Sequence, residues 1–272
     1  MPRKRATTKT KKTKPKRIAR KKNVVTPAHP KWMVRVSRFN PLMDYVSRTH
    51  EYVVTPHEGE SVLDLLYRLK HTQDGSLTFR GSCGYGGCGT CGMRVNGKPI
   101  MACTTQVNDV LDSQKNVRID PLHGNVLKDL VVDEGPFFAE LMNVKPWLYP
   151  RKNDEKRRHK MGPNDVRALG KTPLCMLCGL CNAHVESEKK GELGPAALVK
   201  AYRYVHDARD GNAFRLGELS PKLNVHYSLD QANLCPRDIQ PGKRIGELRQ
   251  ESGQKLKKTT KQREKKTRVW KE

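Results

Sequence analysis

The eight cysteines of this chain fall into two groups at metal-ligand spacing. Cys83, Cys88, Cys91 and Cys103 read C-x4-C-x2-C, with a fourth cysteine after eleven further residues. Four thiolates so arranged hold a 2Fe-2S cluster, two irons bridged by inorganic sulfide. A loop around such a core must approach it closely and turn backbone N–H groups toward the sulfurs. The six glycines between Gly81 and Gly92 suit that task. Zinc is the competing ligand for any cysteine set. Zinc sites usually pair two C-x2-C knuckles, or one knuckle with two histidines. Here one pair is five apart and no histidine lies between Arg80 and Cys103, which favours iron-sulfur chemistry.

The second group opens with Cys175, Cys178 and Cys181, which read C-x2-C-x2-C. This is the first part of a bacterial ferredoxin run, whose fourth cysteine, followed by proline, would stand at 185. Position 185 is valine, but Cys235-Pro236 stands far downstream without partners of its own. In two-cluster ferredoxins each three-cysteine run takes its last ligand from a distant Cys-Pro. Cys175, Cys178, Cys181 and Cys235 together therefore make one 4Fe-4S site.

The elements that must position these ligands are legible in the flanking sequence. Residues 33–39 alternate like a half-buried strand, and 51–55 give a second. Ser61-Val-Leu-Asp64 opens a helix with a capping box, and Val62, Leu65, Leu66 and Leu69 mark its apolar stripe through about Gln73. Asn96-Gly97 reads as a two-residue hairpin turn that returns the chain to Cys103, and a strand follows at 116–120. From Glu134 the texture becomes helical. A short helix is expected at 137–144, a basic Pro-containing connector at 147–158, and a helix from Pro195 through Arg209 to a closing Gly211.

The chain has 272 residues, enough for two modest domains. Its net charge of +25 is concentrated at the ends. Residues 1–22 carry twelve Lys or Arg and no acid, and residues 255–272 carry a net seven, so nineteen of the twenty-five charges lie in two tails. Such blocks are expected to be disordered, and either to solvate the protein or to touch something anionic, such as lipid headgroups or nucleic acid. No apolar run approaches the ~18 residues of a membrane span, and no secretory signal is evident. Eight cysteines forming two complete ligand sets point to a reducing compartment rather than to disulfides.

The whole pattern resembles the iron-sulfur subunit of succinate dehydrogenase and fumarate reductase across about residues 33–250. Besides the cysteines, the resemblance rests on 117–122 (VRIDPL), 127–133 (LKDLVVD), 193–198 (LGPAAL), 201–204 (AYRY), 207–210 (DARD), Cys235-Pro236 and Pro241. It implies a β-grasp 2Fe-2S ferredoxin domain at 31–133 followed by an α-helical 4Fe-4S ferredoxin domain at 134–250, which with the basic, disordered tails read from charge at 1–30 and 251–272 makes an α+β chain. It also implies an electron-transfer subunit of a succinate:quinone oxidoreductase, with no catalytic residue of its own. The partners implied are a flavoprotein subunit bearing FAD and a quinone or membrane anchor. The expected location is cytoplasmic, peripheral on the inner face of the cell membrane, with the mitochondrial matrix side as the alternative.

This sequence departs from the family at one place. The three cysteines that hold the family's 3Fe-4S cluster correspond to Val185, Val225 and Gln231, which cannot ligate iron, so no 3Fe-4S cluster is expected. His226 matches the histidine that family members place beside the quinone. His184, His226 and Gln231 could gather around a metal in the vacated space, against the simpler expectation of a repacked core. Two alternatives remain: a related flavoprotein oxidoreductase with a soluble, non-quinone acceptor, and a zinc-stabilised nucleic-acid-binding protein.

Overall fold

The structure is a computed structural model that describes residues 31–55, 57–149, 160–185 and 192–253. The readings placed on the two basic tails and on most of the 147–158 connector lie outside the described residues.

Strand β1 (Trp32–Arg38) buries Trp32, Val34 and Val36 on one face, the period-2 pattern of a strand with one side against a core. It pairs antiparallel with β2 (Arg48–Val54) and parallel with β5 (Asn116–Asp120). Hairpin strands β3 (Gly92–Val95) and β4 (Lys98–Met101) complete a five-stranded sheet ordered β2-β1-β5-β3-β4. At the hairpin turn Asn96 has φ 48° and Gly97 φ 78°, the two positive values that a type I′ turn requires.

Helix α1 (Val62–Thr72) closes one face of this sheet. Ser61 caps it as expected, its hydroxyl accepting from the Asp64 amide while the Asp64 carboxylate accepts from the Ser61 amide. Val62, Leu65, Leu66 and Leu69 are fully buried in one cluster with Val34, Val36, Met93, Val117 and Ile119. Each such leucine contributes about 1.5–3 kcal/mol by leaving water. The β-grasp arrangement expected from the sequence is the one observed.

Buried polar groups pin the edge of this domain. Arg38 donates to Asp129 Oδ1 (2.9 Å), to Tyr52 Oη (2.8 Å) and to Ser76 Oγ (2.8 Å), and also pairs with Asp74. Asp129 accepts further from the Phe39 and Thr78 amides (3.1 and 2.9 Å). Asp129 lies in the turn of a small hairpin, β6 (Val126–Lys128) with β7 (Val131–Val132), which the sequence pattern does not reveal.

The remainder is helical, as expected. After a four-residue α2 (Val107–Val110) in the first domain come α3 (Gly135–Met142), α4 (Pro163–Leu169), α5 (Leu180–His184), α6 (Pro195–Val205), α7 (Arg215–Leu219) and α8 (Pro241–Glu251). Residues of α3, α6, α7 and α8 share a second apolar cluster with Val185, Val225 and Tyr227. One expectation needs correction: α6 ends at Val205, not at Arg209. The Asp207 carboxylate accepts from the Arg209 amide and clasps the Arg209 guanidinium (both guanidinium bonds 2.7 Å), which folds residues 207–210 into a turn. The two apolar clusters do not divide cleanly between the sheet domain and the helical region. Leu180 and Ala183 of α5 belong to the first apolar cluster, so the second cysteine run is built into the base of the sheet domain.

Candidate metal centres

The loop between α1 and β3 carries Cys83, Cys88 and Cys91, and Cys103 follows β4. The Ala102 amide donates to the Cys91 carbonyl (3.1 Å), which ties the fourth cysteine to the third. Backbone amides aim at sulfur throughout the loop. Gly86 N–H donates to Cys103 Sγ (3.2 Å), and the Gly87 and Cys88 amides donate to Cys83 Sγ (3.1 and 3.4 Å). Amides so directed stabilise thiolates, and they are what an iron-sulfur core would find around it. The Thr90 hydroxyl, 3.2 Å from Cys88 Sγ, leads in drawing that thiol down to about 6. Burial pushes Cys91 up to about 12. A buried thiolate needs a cation beside it, and bound iron would be one.

Cys175, Cys178, Cys181 and Cys235 line one small cavity. Its other walls are largely apolar, among them Ala196, Val199, Leu234 and Ile239. Burial raises the Cys175 thiol, takes Cys178 to about 11 and raises Cys181 strongly, and Cys235 adds like-charge repulsion to all three. The distant Cys-Pro is thus brought to the C-x2-C-x2-C run, as its sequence suggested. Among the described residues no three His, Cys, Asp or Glu side chains close to single-ion geometry.

The two cysteine sites adjoin. Gly89 is buried with φ +82°, and a Cβ there would lie 3.0 Å from the Cβ of Cys178 and 3.1 Å from its Cα. A Cβ on Gly92 would lie 3.2 Å from the Cys178 carbonyl oxygen. Only residues without side chains permit such an approach. Arg237, next to Cys235-Pro236, donates to the Gly86 carbonyl (3.0 Å), and Arg94 donates to the Leu122 carbonyl (3.0 Å) and to that of Ala183. Sequence reasoning did not single out Arg237, Arg94 or Thr90. Only the position of Thr90 inside C-x2-C was a signal.

The residues at the family's third-cluster positions do not form a ligand site. Val185 and Val225 are buried in the second apolar cluster with Leu193, Leu223, Tyr227 and Ala232. Gln231 and His184 are exposed. The His226 amide donates to Glu192 Oε1 (2.8 Å), and its Nδ1 meets the same oxygen. Val185 and Val225 thus sit in a packed core, the simpler of the two expectations, and the alternative gathering of His184, His226 and Gln231 is not what the fold produces, because His226 is turned to a carboxylate. Tyr227 beneath it donates to the Leu193 carbonyl (3.0 Å), its phenol raised by burial.

Residues 33–139 match the family described as the 2Fe-2S iron-sulfur cluster binding domain. The fold is similar to that of a chain in the Mycobacterium smegmatis Sdh1 complex in the apo form, with a TM-score of 0.70 and 25% identity, covering 83% of this chain and 97% of that one. A hypothetical protein from Helicobacter pylori shares the fold at a TM-score of 0.50 and 21% identity, over 81% of this chain and 39% of that one. This chain is accordingly an iron-sulfur protein with an N-terminal 2Fe-2S domain, related in structure to a component of an Sdh complex.

Proposed function

We propose that this chain is the electron-transfer subunit of a succinate dehydrogenase or fumarate reductase type complex, relaying electrons between a flavoprotein subunit bearing FAD and a quinone or another acceptor. In this reading Cys83, Cys88, Cys91 and Cys103 hold 2Fe-2S, and Cys175, Cys178, Cys181 and Cys235 hold 4Fe-4S. The contact of Gly89 with Cys178 carries the proposal, because two sites joined through a residue without a side chain have little protein between them. When bound, each cluster supplies one-electron chemistry.

The protein's own contribution is position and electrostatics. The Gly86, Gly87 and Cys88 amides neutralise part of the charge on the first set of thiolates. The apolar walls of the second cavity keep water away from its sulfurs. Arg237 and Arg94 hold the two sites in register. Val185 and Val225, packed in the second core, support a relay that ends at the second site. His226 stands on that side of the molecule and remains the candidate for contact with a quinone. Placement as a peripheral protein on the inner face of the cell membrane follows from this role, and among the described residues no helix is long and apolar enough to cross a membrane.

Electron paramagnetic resonance during a potentiometric titration tests the proposal. Two one-electron centres whose signals interact when both are reduced are expected. A colourless, zinc-loaded protein would instead overturn the iron-sulfur reading.

A further inference from the structure

Helix α6 begins with five buried residues, Pro195 to Val199, and the next position is Lys200. Its side chain turns back to the second cysteine site, where Nζ donates to the Cys175 carbonyl (2.9 Å). No carboxylate lines the cavity among its described residues; its one charged lining residue is Arg237. A half-buried ammonium anchored on a ligand's own backbone is screened by salt far less than an exposed one.

We propose that Lys200 is a positioning residue for electron transfer, whose fixed charge raises the affinity of the Cys175, Cys178, Cys181 and Cys235 site for an electron. The inference rests on the reading that this site holds 4Fe-4S. In the step concerned one electron leaves reduced 2Fe-2S and enters oxidised 4Fe-4S. No bond forms or breaks, and no proton is transferred. Negative charge thereby moves toward Lys200, and Coulomb attraction stabilises the product side of the exchange. Arg237 does not create the same bias, because it lines the second cavity while donating to Gly86 of the first loop, and its side chain is exposed. The bond of Lys200, by contrast, is to a ligand residue of the second site.

The test is a potentiometric titration of the cluster-loaded protein, followed by electron paramagnetic resonance, for the wild type and for Lys200→Met, Lys200→Gln and Lys200→Arg. Lys200→Gln keeps a donor for the Cys175 carbonyl without the charge, and Lys200→Arg keeps the charge. Both neutral variants should move the electron's distribution about tenfold away from the second centre, about 59 mV for a one-electron couple, with the first centre unmoved. Lys200→Arg should stay near the wild type. Equal shifts at both centres, or none at either, would overturn the inference. So would loading of the second cluster by Lys200→Arg but by neither neutral variant, which would assign Lys200 to assembly instead. A wild-type protein without a second cluster signal would instead overturn the reading on which the inference rests.

Discussion

Gly89 of the first cysteine loop lies so close to Cys178 of the second run that a methyl group on it would sit 3.0 Å from the cysteine's Cβ. The backbone there is left-handed, at φ +82°. Gly89→Ala should therefore meet two penalties: about 1–2 kcal/mol for the left-handed conformation, and displacement of the second run. The expected result is a lower melting temperature and weaker magnetic interaction between the two centres, with both clusters still bound. Unchanged interaction would show that the centres communicate elsewhere.

Iron content follows from the ligands. Two clusters on eight thiolates give about six iron per chain, against about nine for a family member with three clusters. An oxidised sample with a stoichiometric 3Fe-4S resonance, not traceable to damaged 4Fe-4S, would contradict this.

Restoring cysteine at 185, 225 and 231 together should add no iron. Val185 and Val225 are part of a packed core, and position 231 faces solvent. Reconstitution that yields about three additional iron per chain would show that the core can reopen into a cluster cavity.

Cys235→Ser should abolish the 4Fe-4S signal and leave 2Fe-2S intact, because all four ligands of the first site lie between 83 and 103. Because Leu180 and Ala183 are shared with the first core, a modest drop in the stability of the sheet domain should accompany the loss. Disappearance of both signals would mean that neither site forms alone.

The Arg38 network predicts the acid limit of stability. Burial pushes the Asp74 carboxyl up, but bonds from Ser76, Tyr52 and Arg38 outweigh it and hold it well below the usual carboxylate range. A depressed carboxyl contributes stability that is complete above its unfolded value of about 3.9 and is lost as pH falls below it. Asp74→Asn should flatten the acid limb of a pH–stability curve measured by circular dichroism. Arg38→Met should cost about 3–5 kcal/mol, since it leaves Asp129 buried without its cation. An effect below 1 kcal/mol would mean that water enters to replace the guanidinium.

The sequence by itself determined what depends on neighbours along the chain. The Ser61 capping box, the Asn96-Gly97 turn, the alternation of β1 and the C-x4-C-x2-C loop are local, because each is closed by residues a few positions apart. The distant Cys235 was legible too, because a Cys-Pro without partners and a cysteine run without its end complete one another. Only the tertiary structure decided the rest. Arg38 and Asp129 are 91 residues apart, and nothing in either segment names the other. Where α6 stops depends on a carboxylate turned toward Arg209 instead of on helical periodicity, which continues past that point. Whether Val185 and Val225 leave a cavity or fill one is a matter of volume summed over five or more segments, and residue types alone do not fix such a sum. The placing of Gly89 on Cys178, and of Lys200 on the carbonyl of Cys175, likewise exists only once two apolar cores have packed against each other and fixed the distance between them.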